Sequence, residues 1–191
     1  AALLGDAAAL DGILSSLRSR QHPRMMILKA AVKRLGQGMR PMMARRLQAQ
    51  IIAAQPGVVD HHLVALELAL QGGEDAAARE HTDAVIAMAG DEPRVLLQLA
   101  ERWQRWLRHD VAEELLTRLD DAAGAVAVER DVQRLRGALL RDDTAGAERA
   151  SESALAVHAD AHGLRRRMAA LALDVGRQPR LVLRWLAPLL E

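Results

Sequence analysis

The chain has no cysteine, phenylalanine, tyrosine or asparagine, and aromatic residues make up only 2% of its 191 positions. Without cysteine there is no disulfide, no thiolate metal site and no thiol nucleophile, and the compartment stays open between a bacterial cytoplasm and periplasm. With Trp103, Trp106 and Trp185 as the sole aromatics, the basic N-terminal third lacks the aromatic side chains interleaved with basic ones on which single-stranded nucleic acid stacks. No apolar run reaches 18 residues, so no membrane-spanning helix is predicted. Lysine occurs only at Lys29 and Lys33, and the bias toward Ala, Arg, Gly and Val points to a GC-rich bacterial source. The chain begins at Ala1 inside what reads as a helix pair, and is expected to be a fragment or processed form of a larger protein.

Half of the residues are hydrophobic, and the 27% that are charged mix both signs, which marks a folded chain and excludes the disordered class. The apolar residues are mostly Ala and Leu, strong helix formers with little β-branching, so no strand is predicted. Apolar positions recur at three- and four-residue intervals, interrupted every 14 to 20 residues by Gly, Pro or Asp clusters such as Pro56-Gly57, Gly72 to Asp75, Gly90 to Pro93 and Arg141 to Asp143. That pattern predicts roughly eleven helices joined by short turns. Asp75, Asp91, Asp110, Asp143 and Thr144 stand where a side-chain oxygen caps the next helix.

The segments repeat with a period of about 34 to 36 residues. The best copy runs from Pro93 to Val126, with Leu99-Ala100, Trp103, a turn at His109-Asp110, then Ala112, Leu116 and Leu119. The preceding copy gives Val64-Ala65, Leu68, Gly72, Ala77, His81 and Ala84-Val85, and the following one Leu135, Ala138, Asp142, Ala147, Ser151 and Ala154-Leu155. The best copy puts a large-small pair and an aromatic on its first helix, then a small residue and a large one on its second. In this period and placement the chain resembles tetratricopeptide repeats, although Tyr, Phe and most turn glycines of that pattern are missing. The resemblance implies an all-α, right-handed superhelix of antiparallel helix pairs, with a partial repeat over 1–21 and repeats over 22–56, 57–91, 92–126, 127–161 and 162–191. Ala65, Ala100, Ala112 and Ala147 are then expected at close helix crossings, and Trp103 and Trp185 in the core.

No residue pattern stands out as catalytic. His158, Asp160 and His162 have metal-ligand spacing, but an inter-repeat turn uses Asp and His for capping, and no metal or cofactor is expected. Asp120-Asp121 and Asp142-Asp143 are adjacent and so diverge by about 100° on a helix, too far apart in direction to flank one substrate. Gly36-Gln37-Gly38 neither follows a strand nor ends in the lysine of a phosphate loop. No serine lies in a nucleophile elbow. The chain is therefore read as non-catalytic.

Charge is unevenly distributed along the sequence. Between Gly12 and Val59 there are nine basic residues and no acidic one, together with Met25, Met26, Met39, Met42 and Met43, while the chain from Asp60 onward carries about −6. Flexible thioethers among cations suit an adaptable binding surface, and nucleic-acid binding through 12–59 is the alternative reading. In tetratricopeptide arrays the first helix of each pair lines the concave groove. The resemblance therefore implies a groove bearing Lys29, Lys33, His62, Arg94, Gln104, Arg105, Arg136 and Arg166, suited to an acidic, partly apolar peptide. It also implies a protein-interaction scaffold, of the kind that serves bacterial envelope or exopolysaccharide assembly, secretion or regulation. Members that clamp a chaperone's terminal carboxylate use groove asparagines, which this chain lacks.

Overall fold

The computed structural model describes residues 23–37, 41–158, 161–175 and 179–189, with side chains from Lys29 onward except those at 37, 41 and 161. The partial repeat expected over 1–21 lies outside these residues. The described residues form ten α-helices and no strand: α1 (Pro23–Gln37), α2 (Pro41–Ala54), α3 (Val59–Gln71), α4 (Asp75–Ala89), α5 (Pro93–Arg105), α6 (His109–Thr117), α7 (Ala125–Leu140), α8 (Thr144–Val157), α9 (Ala161–Val175) and α10 (Pro179–Leu186). A short 3-10 turn, Ala187–Leu189, follows. Ala and Leu at helical spacing give each helix an apolar stripe that must be buried against a neighbour. The chain divides into two compact units, Ala1–Met88 and Ala89–Glu191.

In the first unit α2 packs on both α1 and α3, around Val32, Ala44, Leu47, Ile51 and Leu68. Helices α3 and α4 meet through the rings of His62 and His81. In the second unit α5 packs on α6 and α7, α7 on α8 and α9, and α9 on α8 and α10. The first helices of successive pairs are thus neighbours, and each second helix also reaches the first helix of the next pair. Leu135, Leu139, Met168, Ala172 and Trp185 belong to one buried cluster across α7 to α10. The small residues occupy the tight positions: Ala65 is 6% exposed, Ala100 0%, Ala112 1% and Ala147 0%. Trp103 and Trp185 are buried, as their positions in the period predict.

Three turns within the pairs share one backbone geometry. After α3, Gly73 takes φ +70°, after α5 Leu107 takes +61°, and after α7 Asp142 takes +57°. In each, two main-chain N–H groups reach back to the end of the first helix. Gly73 donates to the carbonyl of Leu70 and Glu74 to Ala69; Leu107 donates to Gln104 and Arg108 to Trp103; Asp142 donates to Leu139 and Asp143 to Ala138, all at 2.9–3.2 Å. This is the Schellman motif, which satisfies helix-end carbonyls at the cost of one left-handed residue. Its positions, 73, 107 and 142, are 34 and 35 residues apart, the period read in the sequence. Glycine adopts this conformation freely, whereas Leu107 and Asp142 are held in it against the clash of their Cβ atoms.

Capping departs from expectation. Asp143 is a true cap, its Oδ1 accepting from the Gly146 N–H at 2.8 Å. Asp75, Asp110 and Thr144 instead lie inside the first turns of their helices, where the two carboxylates act on the helix dipole. Asp91 pairs with Arg118. Helix α5 starts with Glu92 in the cap position and Pro93 as its first helical residue, without a side-chain cap. Helix α6 ends at Thr117, short of Leu119. The Arg130 Nη1 takes the Leu119 and Asp120 carbonyls at 3.1 and 3.0 Å, which holds that backbone in a turn.

Candidate partner-binding surface

An open cleft of about 230 Å³ lies between α7 and α9, the first helices of two consecutive pairs. Helix α7 contributes Val132, Gln133 and Arg136, and α9 contributes Arg167, Ala170, Leu171 and Asp174. The α9 residues are spaced by three and four, so they share one helix face. Val132 and Leu171 supply an apolar floor, while Arg136, Arg167 and Asp174 bring charge to the same space.

The cleft's cations are already engaged within the unit. Arg136 Nη1 lies 3.2 Å from Glu101 Oε1, and Arg105 Nη2 approaches the same oxygen at 3.5 Å. Arg167 Nη2 lies 2.7 Å from Glu129 Oε2. All these groups are at least partly exposed, so solvent and salt screen the pairs and each contributes little to folding. A bound carboxylate would exchange with these glutamates without having to recruit a buried charge. The Gln133 amide is buried, and its Oε1 has no hydrogen-bond partner among the described residues; its carbonyl accepts from Gln104 Nε2 at 2.8 Å.

The groove residues expected from the sequence separate into exposed and buried sets. Lys29, Lys33, Arg94, Arg105 and Arg166 are exposed and Arg136 is half-buried. His62 and Gln104 are buried: His62 bonds the Pro56 carbonyl through Nε2, and Gln104 bonds Gln133. These two fasten the structure and present no surface. Lys29, Lys33 and His62 belong to the first unit and the other five to the second. Within the second unit Glu101 draws Arg105 and Arg136 together. On α9 it is Arg167, and not Arg166, that lines the cleft. Arg105, Arg136 and Arg167 are each 31 residues apart, a constant interval that identifies Arg167.

Compared with family models, curated proteins and solved structures, the chain matches none.

Among the described residues no group of three or more His, Asp or Glu side chains could hold a metal ion. His158 follows α8 and His162 is exposed on α9, while Asp160 lies outside the described residues. No described helix is long and apolar enough to cross a membrane. In the basic stretch, Arg34 and Arg46 are exposed with Lys29 and Lys33, whereas Arg45 is folded onto Glu74.

The most buried charge cluster is structural. Asp131, 2% exposed, accepts from Arg130 Nε at 2.8 Å and from the Ser153 hydroxyl at 2.6 Å. Arg134 spans Glu113 at 2.7 Å and Asp120 at 2.9 Å. Between them, Arg130, Asp131 and Arg134 tie α7 to α6, to the turn after it and to α8.

Proposed function

We propose that this chain is a tetratricopeptide-like scaffold of helix pairs that binds an extended segment of a partner protein along its first helices and carries out no reaction of its own. The observation that carries this reading is the cleft between α7 and α9, with an apolar floor and Arg136 and Arg167 at its edge. Its support in the fold is the recurrent turn at Gly73, Leu107 and Asp142, together with the packing of α5 on α7 and of α7 on α9. Repeated pairs in such an array present equivalent faces side by side, a surface shaped for an extended ligand. The partner segment carries an apolar side chain for the floor formed by Val132 and Leu171 and an acidic one for Arg136 or Arg167. Exposed Arg94 and Arg166 steer it. Because the arginines of the cleft are already ion-paired, burial of the apolar side chain supplies most of the affinity and the acidic contact supplies selectivity.

The test begins with recovery of a partner by pull-down with the purified chain. Affinities of Leu171→Ala and Arg136→Ala are then compared with those of the exposed controls Arg79→Ala and Arg118→Ala. Tenfold or greater weakening confined to the first two supports the reading, and equal losses at all four overturn it.

A further inference from the structure

In the first unit three histidines gather where α2 turns into α3 and α3 meets α4. His61 and His62 are 2% and 8% exposed. Their rings point back at the turn between the helices: His61 Nε2 lies 3.0 Å from Gln55 Oε1, and His62 Nε2 lies 3.1 Å from the Pro56 carbonyl. The His81 ring, from α4, stands edge-on to His62 with centroids 5.6 Å apart. The Gln48 Nε2, from α2, donates to the His61 carbonyl at 2.6 Å, so the same junction is held from both sides.

A carbonyl oxygen only accepts, so the Nε2 of His62 carries the proton in its bond to Pro56, and the neutral ring has its lone pair on Nδ1. That Nδ1 is buried and has no hydrogen-bond partner among the described residues. A charge on the His61 ring, 2% exposed, or on the His81 ring that abuts the buried His62 would sit inside this junction, a costly placement. We propose that His61 and His81, on either side of the His62 ring, form a proton-triggered latch: in mildly acidic solution, proton uptake at these two rings releases the turn between α2 and α3 and loosens α4 from α3.

The charges around the cluster favour this behaviour. Burial, with the neighbouring His62, lowers the proton affinity of His81 against the opposing pull of Glu80. Burial, Lys29 of α1 and His62 do the same for His61 against Asp60. From α2 and the turn the partners are the neutral Gln48, Gln55 and Pro56. Both opposing carboxylates, Asp60 and Glu80, are exposed to solvent, which screens them. The native junction therefore binds fewer protons than the unfolded chain. Its stability is complete above the ordinary histidine value of 6.5 and falls as pH drops toward the lowered values.

The test is amide hydrogen exchange, resolved by segment and corrected for intrinsic rates, at pH 7.5 and 5.5 on the whole chain and on His61→Gln and His81→Gln. Glutamine does not titrate, and at position 61 its amide can still donate to Gln55 Oε1. The latch predicts that exchange in residues 55–66 and 78–89 rises on acidification and that the rise shrinks in both variants. His109 in the second unit is also lowered, chiefly by burial, so the readout must be segmental and not bulk melting. An independent check on the unmodified chain is long-range proton–nitrogen NMR of the His61 and His81 rings, in which the 55–58 amides should shift as those two rings titrate. An equal rise in the variants, no rise at all, or 55–58 amides that stay fixed as the two rings titrate overturns the latch.

Discussion

The Gln104 side chain on α5 donates through Nε2 to the main-chain carbonyl of Gln133 on α7 at 2.8 Å, joining two successive pairs across a buried crossing. Gly137, one turn further along α7, leaves the room for it. A Cβ at Gly137 would come within 3.0 Å of the same nitrogen.

In an exposed helix interior Gly→Ala stabilises by about 1 kcal/mol. At Gly137 the displaced amide bond, worth about 0.5–1.5 kcal/mol, offsets that gain. Gly137→Ala alone is therefore expected to leave stability flat or lowered, and to stabilise in a Gln104→Ala background. Urea melts of the double-mutant cycle check this. Stabilisation by the single change would show that the amide yields freely.

Leu107 is 62% exposed and sits in the left-handed conformation that glycine fills at position 73. Left-handed backbone costs an ordinary residue roughly 1–2 kcal/mol, and glycine's added freedom in the unfolded chain takes part of that back. Leu107→Gly is expected to raise stability by about 0.5–1 kcal/mol and Gly73→Ala to lower it by a similar amount, both read by thermal or denaturant unfolding. A destabilising Leu107→Gly would mean that the leucine side chain contributes packing that its exposure does not reveal.

Asp131 lies between Arg130 and Ser153 with almost no solvent access. Removing one member of a buried, hydrogen-bonded pair strands the other, at about 3–5 kcal/mol. Asp131→Ala should lose that much, and Ser153→Ala, which keeps the ion pair, only about 1 kcal/mol. Similar small losses for both would place Asp131 in better contact with solvent than its burial indicates.

Ala100 on α5 and Ala112 on α6 are 0% and 1% exposed. Ala100→Leu and Ala112→Leu should each cost roughly 1–3 kcal/mol through overpacking. An unchanged melting temperature would show that these positions have slack.

Helices, small-residue crossings and buried tryptophans were legible in the sequence because each is a consequence of spacing. Ala100, Ala112 and Trp103 fall where a 34 to 36 residue period and a 3.6-residue turn require them. The turns were legible by position but not by mechanism. Gly73 announces a left-handed residue, whereas Leu107 and Asp142 are forced into the same conformation by the helices they join. Asp143 caps its helix as read, Asp91 lies before the Glu92 cap position and pairs with Arg118, and Asp75, Asp110 and Thr144 fall inside their first turns, because the sequence does not mark a helix boundary to within one or two residues. For the surface, the sequence reading named Arg136, which lines the cleft, and Arg166, whose neighbour Arg167 lines it instead. His62 and Gln104 were read as exposed because a polar side chain on a helix gives no sign that a main-chain carbonyl on another element will claim it.

The central claim, that a partner lies along the first helices, is tested most directly by a hydrogen-exchange footprint of the second unit with and without a recovered partner. Protection concentrated in residues 129–137 and 164–174, the walls of the cleft, with α6 and α8 unchanged, is the result this account predicts. Protection confined to α6 and α8, with the cleft helices unaffected, would contradict it.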